Sequence, residues 1–271
     1  VLGVYIGTIV LLNIPNIQQA MSVFVAEELS EVLNTKVVIG RINMGLLNRI
    51  IIDDVLLDDQ SGQEMLKVTR LSAKFDIMPF FKGKISISSV QLFGFNINLR
   101  KETPDSPPNF KFVLDAFASK DTVKKENSLD LRINSILIRR GRMSYHVLSE
   151  EETPGKFNAK HIQLQNIIAN ISLKALSKDS LNLGIKRLSL DEKASGFSLK
   201  KMSLKLVANN KQTNIDNFTI ELPETSLKLD TIHLEYDSLK AFDRFTEQVH
   251  FSFRTLPSQV LSLIHISEPT R

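Results

Sequence analysis

The chain has 271 residues, of which 42% are hydrophobic and 24% are charged, and it contains neither cysteine nor tryptophan. This hydrophobic content indicates a folded chain of one or two domains rather than a disordered one. The formal net charge of +4 is spread along the sequence, which disfavours a nucleic-acid-binding protein. Without cysteine the chain has no disulfide, thiolate metal site or thiol nucleophile.

The chain begins with an uncharged segment, VLGVYIGTIVLL. As a helix it would cover about 18 Å of a hydrocarbon core about 30 Å thick. No small-residue cleavage site follows it, so we interpret residues 1–14 as part of a transmembrane anchor, with a signal-peptide core or a buried helix as alternatives. The predicted anchor residues are Val1, Leu2, Val4, Ile6, Ile9, Val10, Leu11 and Leu12.

Residues 15–35 have the spacing of an amphipathic helix, and Pro15 suits its first turn. We expect this helix to cover the end of a sheet, or else to lie at a lipid surface. The apolar positions at helical spacing are Ile17, Met21, Phe24, Val25, Leu29 and Val32.

From residue 36 onward, apolar and polar residues alternate in short runs about ten residues apart, which is typical of strands. We predict a first β segment at 36–101 and further β repeats at 129–260. Between them, residues 102–128 are predicted as a linker and a short helix, because ETPDSPPN contains three prolines. The regular spacing predicts an extended, repetitive sheet.

The clearest alternation lies in residues 83–99, GKISISSVQLFGFNINL. A bulge near Ser88 and Ser89 and a turn at Phe93 and Gly94 would keep the apolar residues on one face. Such a face needs either a second sheet, as in a sandwich core, or lipid to cover it. The candidate residues of an apolar groove are Ile85, Ile87, Val90, Leu92, Phe95, Ile97, Leu99, Leu131, Ile133, Ile136 and Ile138.

The sequence contains no recognisable catalytic, nucleotide-binding or metal-binding motif. The four histidines before residue 260 are far apart in the sequence, and each is predicted to lie on a strand face or in a turn. They are His146, His161, His233 and His250. We therefore predict no metal, no cofactor and no enzymatic activity.

Two charged clusters have structural interpretations. The acidic pairs at 53–54 and 58–59 are predicted as strand ends and a solvated hairpin turn rather than cation ligands. The basic cluster at 139–142 is predicted as a hairpin tip, with contact to lipid phosphates as the alternative.

The last residues, 261–271, read LSLIHISEPTR and closely resemble the translation of a transposase adapter used in sequencing libraries. We interpret them as non-native read-through and leave them out of the fold prediction. The native sequence is then expected to continue beyond Val260.

Several segments resemble a known family: the apolar start, LSEVLNTKVVIGRI, NRIIIDDVLLDDQSG and GKISISSVQLFGFNINL. They are similar to the N-terminal part of AsmA-like proteins, and most of all to the TamB (translocation and assembly module) branch. NFKFVLDAF followed by LRINSILIRRGRMSYH resembles the next block of that branch. The resemblance covers residues 1–150 and weakens to general β-repeat character as far as residue 260.

The resemblance implies a protein held in the inner membrane by one helix, with its bulk in the periplasm of a Gram-negative envelope. Its fold would be mainly β: a membrane helix, an amphipathic helix, and then an elongated, curved antiparallel sheet forming a taco-like groove of repeated short strands. The implied partners are membrane phospholipids and an Omp85-type outer-membrane barrel, the latter through a C-terminal region beyond this sequence.

Three functional hypotheses remain open at the level of sequence. The first is a lipid conduit, in which the apolar groove carries phospholipid between the two membranes. The second is a scaffold that holds strands of nascent outer-membrane proteins at its sheet edge. The third is a closed β domain with an ordinary core.

Overall fold

The computed structural model describes residues 7, 10, 13–45, 48–75, 85–118, 129–130, 134–176 and 180–259. Of the predicted anchor residues only Val10 is among them, and the predicted read-through at 261–271 lies outside them. Within the described ranges, no helix has both the length and the apolar character needed to cross a membrane.

The described chain is mainly β, as predicted. Its helices are α1 (Pro15–Leu33), α2 (Lys111–Ala118) and α3 (Phe245–Gln248), with a 3-10 helix at Leu239–Arg244. Its strands are β1 (Val37–Gly45), β2 (Arg49–Asp58), β3 (Glu64–Phe75), β4 (Ile85–Lys101), β5 (Leu129–Asp130), β6 (Ser135–Val147), β7 (His161–Leu176), β8 (Ser180–Glu192), β9 (Ser198–Asn209), β10 (Gln212–Glu221), β11 (Ser226–Tyr236) and β12 (Val249–Thr255).

The strands follow the order β1-β2-β3-β4-β6-β7-β8-β9-β10-β11-β12, and β5 pairs with β4 beside this path. The sheet is mixed, so the prediction of an antiparallel sheet is wrong around β4: both β5 and β6 run parallel to it, with Leu92 opposite Ile138 in the β4–β6 pair. A hairpin can join only antiparallel neighbours, whereas a parallel pair needs a long crossover. The connection from 102 to 134, which contains α2, is long enough to provide it.

Contacts divide the chain into two compact units, which we call unit one (Val1–Asn170 and Leu190–Phe197) and unit two (Ile171–Ser189 and Ser198–Arg271). In unit two, β9, β10, β11 and β12 pair antiparallel in sequence. A small core there consists of Tyr236, Ala241 and Val249. The Tyr236 hydroxyl lies 2.9 Å from Thr213 Oγ1, so this buried phenol has a hydrogen-bond partner.

In unit one, α1 and α2 cover the apolar face of the first strands. We call the residues buried there the helix-covered cluster. Its buried members are Leu33, Val37, Ile39, Ile42, Leu57 and Met65, and Met21, Val25, Ala26, Leu29, Phe112, Val113 and Ala116 of the helices pack against them.

The buried face of α1 differs from the predicted apolar stripe. Phe24 and Val32 are 62% and 45% exposed, so their prediction as part of the packed face is wrong. Gln18 and Ser22 are buried instead, and Gln18 Nε2 donates to Asn43 Oδ1 on β1 at 2.7 Å. Because this hydrogen bond satisfies the buried amide, a polar residue is tolerated where the helix meets the strand.

Candidate functional site: an apolar face of the sheet

A second apolar cluster lies on six neighbouring strands of unit one, and we call it the six-strand cluster. Val68, Phe95 and Ile167 are buried at its centre, and the remaining members are half-buried. These are Val55, Leu66, Leu71, Leu92, Ile97, Ile138, Met143, Leu164 and Leu190. Leu66 also packs against the helix-covered cluster, so the two clusters are continuous.

Strand β4 shows how the apolar residues stay on this face. Leu92, Phe95 and Ile97 belong to one cluster although Leu92 and Phe95 are three residues apart. Of the two residues between them, Gly94 has a left-handed φ of +64°, which inverts the alternation of the strand. Glycine suits this position, since it adopts the positive φ without strain and a Cβ would lie 2.7 Å from Thr69 Oγ1 and 3.1 Å from Thr69 Cβ.

The interruptions predicted in β4 have different outcomes. The pairing of β3 with β4 shifts register between Lys74 and Phe75, where Ser88 is the extra residue, so the predicted bulge is confirmed. The predicted turn at Phe93 and Gly94 is wrong, because β4 continues through both residues. A left-handed residue, and not a chain reversal, restores the common face.

The same device occurs in other strands of unit one. Left-handed residues also lie within the strands β2, β6 and β7. Each lies between two apolar residues of the face that are an odd number of positions apart, such as Leu164 and Ile167. Asp and Asn adopt this backbone more readily than most residues. The residues are Asp54 (φ 57°), Arg140 (φ 55°) and Asn166 (φ 54°).

The centre of the cluster depends on a missing side chain. A Cβ at Gly141 of β6 would overlap the Phe95 ring and would lie 3.0 Å from Ile167 Cβ. Phe95 is 7% exposed, so its ring fills the space over this glycine. The turn predicted at Arg140 and Gly141 is therefore wrong: both residues lie inside β6, where Gly141 admits the aromatic ring.

The predicted groove residues have three outcomes. Leu92, Phe95, Ile97 and Ile138 belong to the six-strand cluster. Half-buried positions on β4 and β6 outside the cluster are occupied by Ile87, Val90, Leu99 and Ile136. The side chain of Ile85, and Leu131 and Ile133 entirely, lie outside the described part of the chain.

On the opposite face of unit one, polar side chains link neighbouring strands by hydrogen bonds and an ion pair. Asn98 of β4 donates to the Glu64 carbonyl at 3.2 Å and accepts from Ser144 Oγ at 3.0 Å. The first acidic pair is not at a strand end, as predicted, but inside β2, where Asp53 forms an ion pair with Arg70 at 2.6 Å. These contacts join β2, β3, β4 and β6 on the face opposite Ile97.

The second acidic pair leads into the turn after β2. Arg100 contacts Asp59 at 2.7 Å. Burial raises the pKa of the Asp59 carboxyl, but hydrogen bonds from Ser61, Asn109 and Gln63 outweigh burial, and the net pKa lies below its ordinary value. This turn is therefore a fixed polar anchor rather than a solvated one.

A second polar anchor lies at Glu192, the last residue of β8. The Glu192 carboxylate is 3% exposed and accepts hydrogen bonds from Ser195 Oγ and from the backbone N–H groups of Ser195, Ala194 and Gln163. Burial raises the pKa of Glu192, but these hydrogen bonds outweigh it and lower the pKa to about 2. The ionised carboxylate thus joins the end of β8 to β7 two residues after the cluster member Leu190.

Two of the histidines lie on strands, as predicted, and the structure brings them together although they are far apart in sequence. His146 at the end of β6 and His161 at the start of β7 lie with their Nδ1 atoms 3.0 Å apart. The loop at 148–160 separates them in sequence, and no sequence motif has that spacing. The sequence signal for this contact was that the two histidines lie at the adjoining ends of consecutive predicted strands. In the structure these strand ends are joined by the hydrogen bond from Val147 N–H to the Lys160 carbonyl, at 2.9 Å.

No model of a protein family matches this chain, and no curated protein matches it. The AsmA-like resemblance therefore stays a prediction.

Proposed function

We propose that this chain is the N-terminal part of an inner-membrane-anchored periplasmic protein that carries phospholipids along an apolar β-groove toward the outer membrane. The observation that carries the proposal is the six-strand cluster. Its apolar residues share one face across six neighbouring strands even where a left-handed residue interrupts the alternation. Membrane anchoring and location rest on the sequence predictions alone.

The physical requirement for such a path is continuity. Each CH₂ group of an acyl chain that leaves apolar surroundings for water costs about 0.8 kcal/mol. Only three of the twelve cluster members are buried, so the half-buried ones retain apolar surface that an acyl chain can contact. In this proposal lipids slide passively along the face, since the sequence has no nucleotide-binding motif.

Adjacent residues of β4 provide a matched test. Ile97 belongs to the apolar face and Asn96 points to the opposite one. A photo-crosslinking amino acid at Ile97, introduced in cells, should capture phospholipid at least about tenfold more than the same group at Asn96, a difference of about 1.4 kcal/mol in occupancy. Equal capture at the two positions would overturn the proposal.

A charged variant tests the continuity of the path. With the crosslinker at Leu92, Ile97→Asp should abolish most lipid capture, because a carboxylate in an apolar path is costly to desolvate. The control Asn96→Asp places the same charge on the polar face and should leave capture unchanged. Both variants are compared by circular dichroism, so that a failure to fold is distinguished from a blocked path. Undiminished capture in folded Ile97→Asp contradicts the conduit.

The assembly scaffold is the second candidate, and β12, the last strand in the described part of the sheet, favours it. Beyond Val249 every residue of β12 is exposed, including Phe251 and Phe253 at 56% each. An exposed strand edge can pair with a strand of another protein, here one destined for an Omp85-type barrel pathway. This candidate predicts crosslinks between outer-membrane protein strands and β12 that Ile97→Asp does not reduce. Lipid capture at Ile97 without such crosslinks excludes it.

A further inference from the structure

The histidine pair of unit one has a chemistry that lipid transport does not use. His146 and His161 are held by their strands with ring centroids 5.3 Å apart, and His161 is 7% exposed. Glu152, on the loop between the strands, brings its Oε1 to 3.9 Å from His146 Nδ1. Ligand atoms of two imidazoles and a carboxylate thus lie within 4.8 Å of one another.

The hydrogen bonding of His161 fixes its tautomer. Its Nε2 lies 2.9 Å from the backbone carbonyl oxygen of Glu150, which can only accept a hydrogen bond. Nε2 therefore carries the proton, and the lone pair of Nδ1 points toward His146. A backbone carbonyl that accepts from one ring nitrogen is the usual partner of a metal-binding histidine, since it orients the other nitrogen toward the ion.

The backbone around the pair is well defined. The base of the loop is closed by the hydrogen bond from Val147 N–H to the Lys160 carbonyl, at 2.9 Å, and by that from His161 N–H to the Asn158 carbonyl, at 3.0 Å. Lys160 pairs with Glu150 at 2.6 Å, which holds the carbonyl-bearing residue in place. Two ligands are therefore preorganised on strands, and Glu152, whose side chain is 65% exposed, is free to adjust.

The charges beside the pair permit a cation. On the neighbouring strand Arg100 is opposite His146, but its guanidinium is bound to the Asp59 carboxylate at 2.7 Å. The ammonium group of Lys160 is likewise paired with Glu150. Neither positive charge is left uncompensated next to the imidazoles.

We infer that His146, His161 and Glu152 bind one Zn²⁺ ion. Zinc bonds to imidazole nitrogen at about 2.0–2.1 Å in a tetrahedral site, which places neighbouring ligand atoms roughly 3.3 Å apart. The two Nδ1 atoms lie 3.0 Å apart with the ring centroids at 5.3 Å, so they point directly at each other. The ion therefore replaces their hydrogen bond, and both rings turn until their Nδ1 lone pairs meet on it, while Glu152 Oε1, now 3.9 Å from His146 Nδ1, rotates inward. Two nitrogen ligands and one oxygen ligand suit zinc, whereas Mg²⁺ and Ca²⁺ prefer oxygen alone. A bound ion would fasten the loop at 148–160 to the strand ends and leave a fourth position for water.

Calorimetric titration of the full chain with ZnCl₂ tests the site. The chain has no cysteine, so thiolate binding does not interfere, and a purification tag without histidine keeps added ligands out. We expect one ion per chain, an affinity at least about 100-fold lower in His146→Ala, and about tenfold lower in Glu152→Gln. MgCl₂ should give no binding. X-ray absorption spectroscopy at the zinc edge should show two nitrogen neighbours and one or two oxygen neighbours of the ion at about 2.0–2.1 Å.

His233 offers the matched control. It lies in unit two with its Nε2 3.0 Å from Glu235 Oε1, so it also has a carboxylate partner, and Asn214, not a second histidine, lies at its Nδ1. His233→Ala should bind zinc as the unmodified chain does. Circular dichroism checks that His146→Ala is folded, and zinc should raise the melting temperature of His233→Ala but not of His146→Ala. No zinc binding by the unmodified chain, full binding by His146→Ala, or equal loss in His233→Ala would each overturn the inference. Ile97→Asp should bind zinc normally, which separates this site from the proposed lipid path.

Discussion

The helix-covered cluster and the six-strand cluster are continuous, yet they differ in what lies over them. The first has six buried residues beneath two helices. The second has three buried and nine half-buried residues, and among the described residues no helix side chain packs on it. Both arise from strands with the same alternation of apolar and polar residues. Alternation therefore determines that a face is apolar, whereas the covering element determines how much of its area leaves water.

The largest expected effect compares truncations in the two clusters. Leu57→Ala should lower the free energy of unfolding by about 2–4 kcal/mol, because it leaves a cavity beneath the helices. Leu92→Ala removes the same atoms from a half-buried position and should cost about 1 kcal/mol. Urea denaturation of both variants measures the difference. Equal losses would mean that the six-strand cluster is as fully covered as the other.

A smaller effect concerns the fit of Phe95 over Gly141. Gly141→Ala should lower the free energy of unfolding by about 1–3 kcal/mol, since the added methyl group overlaps the ring. Phe95→Leu provides a smaller partner, so the double variant should be more stable than the sum of the single effects predicts. A double-mutant cycle by urea denaturation measures this coupling. Strictly additive effects would show that the ring does not occupy the space above Gly141.

The polar anchor at Glu192 should make the free energy of unfolding of the chain depend on pH. Its folded-state pKa of about 2 lies below the ordinary value of 4.5, so its contribution to stability is complete above pH 4.5, falls as the pH decreases, and is lost below about pH 2. Glu192→Gln should therefore lower the free energy of unfolding by about 1–2 kcal/mol at pH 6 and by less at pH 3.

Urea denaturation of the unmodified chain and of Glu192→Gln at both pH values is the measurement. Subtracting the two chains cancels the titration of the other carboxyl groups. A difference that does not change with pH would contradict the role of the ionised carboxylate.

The smallest effect concerns the orientation of α1. Phe24 is 62% exposed, whereas its neighbour Val25 packs against the helix-covered cluster. Phe24→Ser should change the free energy of unfolding by less than about 0.5 kcal/mol, as expected for an exposed position. Val25→Ser should lower it by about 1–2 kcal/mol. Thermal unfolding of the two variants measures the difference. A larger loss of stability in Phe24→Ser than in Val25→Ser would mean that Phe24 packs against the sheet, as predicted from the sequence.

Local features of the fold could be predicted from the sequence where neighbouring residues determine them. The apolar residues Ile87 and Val90 are three positions apart, and this odd spacing predicted a bulge near Ser88. The register shift in the pairing of β3 with β4 lies at that residue. The same reasoning located an interruption at Gly94 but assigned it to a turn. Odd spacing shows that the alternation inverts, but a bulge, a turn and a left-handed residue can each invert it.

Contacts across long connections could not be predicted in this way. The parallel pairing of β4 with β6 depends on how residues 102–134 cross the sheet. The His146–His161 contact depends on the closure of a loop, and the burial of Gln18 depends on its partner Asn43 in the next element. Each is a relation between two segments, and neither segment contains information about the other's position.

The sequence by itself determined that this chain is mainly β, where its strands alternate, and that one face of them is apolar. These properties follow from the period of two along an extended backbone, which only neighbouring residues define. The tertiary structure alone decided the order and direction of the strands, which part of the apolar face the helices cover, and which side chains meet on the polar face. Those outcomes depend on burial and hydrogen bonding between distant segments, which the one-dimensional pattern does not contain.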